Sequence, residues 1–88
     1  MPETNPNVIT FYGTDWCPDC TRARSFLDKQ RVAYVIVDID ESPEGRAVVE
    51  KLNHGMRSVP TIVFPDGSFL VEPSNAQLAQ KLGLSVKG

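Results

Sequence analysis

The sequence predicts a single α/β domain in which a four-stranded mixed sheet is flanked by three helices, in the order β-α-β-α-β-β-α. Three observations carry this. Two β-branched and apolar runs, residues 8–12 and 32–39, enclose a stretch with helical periodicity. Two shorter apolar runs enclose the turn sequence Pro65-Asp66-Gly67-Ser68 and predict a hairpin. A helix-start signature followed by leucines at helical spacing comes last. The length of 88 residues suits one domain, because single cores serve chains of about 50–200 residues.

Each element has its own justification. Residues 1–7 are polar with two prolines and read as a flexible leader, and the domain proper spans 8–84. Val8-Ile9-Thr10-Phe11-Tyr12, ended by Gly13, reads as the first strand. Over residues 17–30, Cys20, Ala23 and Leu27 share one helical face with Phe26 beside them. Pro18 suits the first turn, where its missing N–H costs nothing. Arg22, Arg24, Asp28, Lys29 and Arg31 read most simply as the solvated surface of this helix and its exit, with room for some of them to meet the site.

Residues 32–39 are near-continuously apolar, as expected of a strand buried on both faces. A helix separates this strand from the first, so the two are expected to run parallel. Ser42-Pro43-Glu44 combines an N-cap, a proline at the first position and an acid near the positive helix end. The helix it opens carries Ala47, Val48, Val49 and Leu52 and is expected to end at Gly55 as a C-cap. Thr61-Ile62-Val63-Phe64 and Phe69-Leu70-Val71 form the hairpin strands. Ser74-Asn75-Ala76-Gln77 is a capping box, Leu78 and Leu82 stack at i, i+4, and Gly83 ends the last helix. Residues 85–88 read as a flexible tail.

Composition narrows the function. A net charge of −2 leaves no electrostatic footprint for nucleic acid or an anionic membrane. No stretch approaches the ~20 apolar residues of a membrane span, and no charged start precedes an apolar run. The expectation is a cytoplasmic monomer, in a compartment where structural disulfides are rare.

The two cysteines, Cys17 and Cys20, lie three apart. A loop this small adds little stability by chain entropy, so redox chemistry or metal binding must explain the pair. Zinc needs about four ligands, and His54 is the one further soft partner, which leaves only a zinc site shared between two chains. His54 itself reads as a surface or capping residue, and the acids Asp38, Asp40 and Glu41 as a solvated strand exit without metal-loop spacing. No metal and no bound cofactor are expected. The pair stands instead at a strand-to-helix junction, where unpaired N–H groups and the helix dipole favour an anion. Cys17 at the helix start is therefore the attacking thiolate, and Cys20, one turn inside, is the resolving thiol. Trp16 reads either as a cover on one side of the sulfur or as an ordinary half-buried aromatic. Asp19 helps the helix start by about 0.3–1 kcal/mol, yet its charge works against a thiolate at Cys17.

With the strand, Cys17-Pro18-Asp19-Cys20, the helix and Ser58-Val59-Pro60 in this order, the chain resembles the glutaredoxin family and its thioredoxin-like fold. Asn53-His54-Gly55-Met56-Arg57-Ser58-Val59-Pro60-Thr61, Phe64-Pro65-Asp66-Gly67-Ser68 and Trp16 resemble its mycoredoxin branch, whose members use thiols other than glutathione. The resemblance implies a cis peptide at Val59-Pro60, packed against the cysteines, with the Val59 backbone pairing with substrate. Trp16, Arg57, Ser58, Val59 and Pro60 are then the substrate-binding candidates, with Arg24 a second candidate for a carboxylate, and Pro18 and Asp19 tune the cysteines. Thr14 stands where glutathione-using members often carry a lysine, and Asp19 where they carry an aromatic, so the glutathione site does not transfer. The expected partners are disulfide-containing proteins and a low-molecular-weight thiol co-substrate such as mycothiol, bacillithiol or glutathione. Two alternatives stand beside this reading: a dithiol reductase fed by a flavin reductase, and a redox or zinc interaction module without turnover.

Overall fold

The computed structural model describes residues 8–84, so the expected leader and tail lie outside the described residues. The sheet is organised around β1 (Ile9–Gly13), every residue of which is buried. On one side β1 pairs in parallel with β2 (Tyr34–Asp38), in register from Ile9↔Tyr34 to Gly13↔Asp38. On the other it pairs antiparallel with β3 (Thr61–Val63), which continues into β4 (Phe69–Val71) across the Pro-Asp-Gly turn. The order is β2-β1-β3-β4, the four-stranded mixed sheet expected from the sequence.

Strand alternation divides the core in two. Ile9, Phe11 and Ile62 pack with Cys20, Ala23 and Leu27 of α1 (Pro18–Lys29) and with Leu78 and Ala79 of α3 (Asn75–Leu82). Tyr12 and Val37 face the other way and meet Val49 of α2 (Pro43–Leu52). Two helices thus cover one face of the sheet and one covers the other. Among the described residues, no helix is long and apolar enough to cross a membrane.

The helix starts form as their local sequences dictate. Pro18 and Pro43 occupy the first turns, and the Ser42 hydroxyl accepts the Gly45 N–H at 2.9 Å. At α3 the capping box closes in both directions, Gln77 N–H to Ser74 Oγ at 3.1 Å and Ser74 N–H to Gln77 Oε1 at 2.8 Å.

Three expectations are corrected. Strand β2 is not buried on both faces: it is an outer strand, and Val35 and Ile36 are 38 % and 42 % exposed. A continuous apolar run reports an apolar strand, whereas its burial depends on its place in the sheet. Ala47 is exposed, because α2 turns Gly45 and Val49 inward instead. Helix α2 also ends earlier than Gly55, with Asn53 as cap and His54 taking the left-handed seat at φ 55°. Gly55 follows, its N–H reaching back to Glu50 O at 2.6 Å, the longer bond of a Schellman-type end.

Gly45 matters for closeness rather than flexibility. A Cβ on it would lie 2.5 Å from Val37 Cγ1, so glycine is what lets α2 settle on β2. Alanine is favoured over glycine in a helix by about 1 kcal/mol. Here the overlap should outweigh that gain, and Gly45→Ala is expected to lower stability by about 1–3 kcal/mol. Thermal unfolding followed by circular dichroism measures it; an unchanged or raised midpoint would contradict the packing argument.

Candidate active site

Strand β1 delivers the chain to the carboxyl end of the sheet, and after residues 14–16 helix α1 begins with Cys17 as its N-cap. The sulfur takes the place a serine or aspartate oxygen usually fills. Cys17 Sγ accepts the Cys20 N–H at 3.4 Å, satisfying a donor that a helix start leaves unpaired. Pro18 removes a competing N–H from the same turn. On its other side the Cys17 thiol donates to Val59 O at 3.9 Å. Cys17 is 7 % exposed, so this sulfur lies at the surface of the core with a backbone N–H and the helix dipole directed at it.

Cys20 sits in a different environment. It is 1 % exposed, and burial pushes its thiol from 9.0 up to about 12. A hydrogen bond from the Thr14 backbone opposes that shift, while Cys17 and the Asp19 charge add to it. Gly13 makes the seat: a Cβ there would lie 3.0 Å from Cys20 Sγ and 2.9 Å from Phe11 Cε1. From the sequence Gly13 reads merely as the end of a strand, and nothing in its neighbours signals this close approach.

Of the Ser58-Val59-Pro60 segment, the Val59 carbonyl meets Cys17. The Val59-Pro60 bond is cis, as the family resemblance implies, and Pro60 is fully buried. Its surroundings anchor it from several elements. Thr61 Oγ1 donates to Ser58 O at 2.7 Å and accepts from Asn53 Nδ2 at 3.1 Å, while Glu72 N–H donates to Pro60 O at 2.8 Å. Asn53 and Thr61 are supports that the sequence does not announce, since each acts across the fold.

The remaining candidates scatter. Trp16 is 70 % exposed and does not close over the sulfur; its indole N–H donates to Asp40 Oδ2 at 2.8 Å. Arg57 is exposed and already paired, its Nε 2.7 Å from Glu50 Oε2. Arg24 lies elsewhere, beside a cavity of about 120 Å³ between α1 and the β1–β2 edge that Thr14, Asp15 and Asp38 also line. Arg24 Nε and Thr14 Oγ1 are buried there without a hydrogen-bond partner. Asp19 is held by Arg22, Oδ1 to Nη2 at 2.6 Å. Arg22, read from the sequence as surface, also donates to Pro73 O and Asn75 Oδ1, both at 2.7 Å.

Since the folded state holds the Cys20 proton more tightly than the unfolded chain, the associated stability is present below pH 9 and lost as pH rises toward 12. Alkylation should show the same asymmetry. Between pH 7 and 9, roughly the range where an ordinary thiol begins to ionise, iodoacetamide is expected to label Cys17 in the folded protein and spare Cys20. Both should label in denaturant. Peptide mapping by mass spectrometry reads the result, and equal labelling of the two in the folded state would refute the environments described.

Comparison with known proteins agrees with this geometry. The glutaredoxin family model matches residues 9–70. A candidate glutaredoxin of Mycobacterium tuberculosis is 40 % identical over 75 residues, covering 85 % of this chain and 89 % of that protein. Mycoredoxin 1 of Corynebacterium glutamicum is 36 % identical over 74 residues, covering 84 % and 91 %. Among solved structures, a mutant of a thioredoxin-like protein superposes with a TM-score of 0.78 at 27 % identity, covering 88 % of this chain and 96 % of that one. With its two cysteines at the start of α1 of a thioredoxin-like fold, the chain belongs to the glutaredoxin family and is a thiol-disulfide oxidoreductase.

Proposed function

We propose that this protein reduces mixed disulfides between proteins and a low-molecular-weight thiol, with Cys17 as nucleophile and Cys20 as resolving thiol. The observation that carries the reading is the unequal footing of the two sulfurs. Cys17 Sγ caps the positive end of α1 with the Cys20 N–H on it, whereas burial keeps Cys20 protonated.

The Cys17 thiolate attacks the small-thiol sulfur of the mixed disulfide. A new S–S bond forms between Cys17 and the small thiol, and the protein sulfur leaves as a thiolate. A second small thiol, as its thiolate, then attacks the capping sulfur, so that a small-thiol disulfide departs and Cys17 leaves as a thiolate. Alternatively Cys20, after losing its proton, attacks Cys17 Sγ, expels the capping thiol and forms a Cys17–Cys20 disulfide that two further small thiols reduce. Val59 lies beside the sulfur, and with Pro60 it supplies a backbone edge against which an extended substrate can align. Ser58 holds that edge through Thr61, Trp16 offers an apolar platform at its rim, and Arg57 is the cation for a carboxylate where the small thiol carries one, as bacillithiol and glutathione do and mycothiol does not. For Arg57 to do so, it must exchange or share its Glu50 partner. Pro18 and Asp19 tune the pair.

Thr14 is buried and presents no cation near the cysteines, which supports a co-substrate such as mycothiol or bacillithiol over glutathione. The reading belongs to a reducing, cytoplasmic setting and to a monomer.

Turnover of one mixed-disulfide substrate with glutathione, mycothiol and bacillithiol in parallel tests the proposal. Cys17→Ser is expected to abolish turnover, and Cys20→Ser to retain a measurable part of it with the preferred thiol. Equal loss in both variants would exclude the route through a second small thiol, and activity in Cys17→Ser would exclude the nucleophile.

A further inference from the structure

We infer that Arg22 is a positioning residue that holds and neutralises the Asp19 carboxylate, so that an acid inside the C-x-x-C motif does not suppress the neighbouring thiolate. The inference rests on Cys17 being the nucleophile. It begins from a conflict in the sequence: Asp19 is two residues from Cys17 and one from Cys20, and a free carboxylate there opposes a second negative charge. The Asp19 charge already contributes to the raised value of Cys20.

The structure resolves the conflict with one side chain. Arg22 stands one turn after Asp19, and its Nη2 lies 2.6 Å from Asp19 Oδ1. An ion pair on a helix surface usually carries little weight, because two long side chains must be ordered to make it. Arg22 differs in being ordered already. The same Nη2 donates to Pro73 O, and Nη1 donates to Asn75 Oδ1, so the guanidinium is fixed to the start of α3. That anchor is firm in its turn: Pro73 is fully buried, and the adjoining Ser74 cap is closed in both directions. The planar fork of arginine makes these contacts at once, which the single ammonium of lysine cannot reproduce. Asp19 is therefore drawn toward α3 and meets a positive charge whose place is set by another helix. Removing the arginine leaves the carboxylate unpaired and free to turn, and its full charge then acts on Cys17.

The test is a double-mutant cycle read on Cys17 chemistry and not on substrate turnover. The rate of Cys17 alkylation by iodoacetamide at pH 7 is measured for wild type, Arg22→Gln, Asp19→Asn and the double variant, with labelled peptides identified by mass spectrometry. Absorbance at 240 nm gives the thiolate signal independently, and thermal melts establish that each variant is folded. Arg22→Gln is expected to slow alkylation roughly two- to fivefold, the scale of a partly screened surface charge. Asp19→Asn should speed it by no more than about twofold, because the paired carboxylate keeps only part of its effect on the neighbouring sulfurs. The double variant should return to within about twofold of wild type, since there is no longer a charge to unmask. Arg22→Lys should recover only part of the rate. A double variant as slow as Arg22→Gln would show that the arginine acts by its own charge or by bracing the helices and not through Asp19, and a wild-type rate in folded Arg22→Gln would show that it does not act on Cys17; either result overturns the inference. Preferential labelling of Cys20 in the wild type would instead overturn the nucleophile assignment beneath it.

Discussion

The structure depends first on the burial of β1. All of its residues are inside, with a parallel neighbour on one side, an antiparallel neighbour on the other, and helices over both faces. A strand so enclosed has no freedom of register, because a slip of one residue would exchange the side chains facing α1 and α3 with those facing α2. Phe11 would trade places with Tyr12, and Gly13 would no longer leave room for Cys20 Sγ. The redox pair inherits its geometry from that register. The loop at residues 14–16 is short, so the position of α1 and hence of Cys17 follows from where β1 ends.

The two faces of the sheet carry different duties. The α1/α3 face contains both cysteines, the Arg22 link between the helices, and most of the large buried side chains. The α2 face is smaller and rests on a close backbone approach at Gly45. Yet α2 also contributes to the site, because Asn53 at its end holds Thr61, which holds Ser58. The segment opposite Cys17 is thus supported from the far side of the sheet, and the cysteine pair from the near side.

What could be read from the sequence was what depends on neighbours in the chain. The caps at Pro18, Ser42-Pro43 and Ser74-Gln77 are local hydrogen-bonding devices, and each stands where the residues indicated. The shielding of Cys20 follows from its place one turn inside the helix, and it is present. What could not be read depends on distant partners. The exposure of Val35 and Ile36 follows from the order of strands, which no periodicity encodes. Gly13 and Gly45 are required by atoms of other elements, and Arg22 by Pro73 and Asn75, more than fifty residues away. His54 in the left-handed seat, with a glycine next to it, shows a helix end choosing between adjacent residues by hydrogen-bond closure and not by steric ease alone. Trp16 reads as an aromatic beside the sulfur, but the direction of its ring is set by Asp40, twenty-four residues on.

The use of a cysteine as helix cap ties the state of the sulfur to the mechanical integrity of α1. A sulfur carrying negative charge is the best acceptor for the Cys20 N–H, and one bonded into a disulfide is a poorer one. Each catalytic cycle would therefore strengthen and weaken the first turn of the helix in alternation. By linkage, whatever free energy the cap adds to the reduced protein beyond what it adds to the oxidised one is also a bias toward the reduced protein. In this fold a change at one helix end is therefore felt in two different experiments, one that measures unfolding and one that measures the acceptance of electrons.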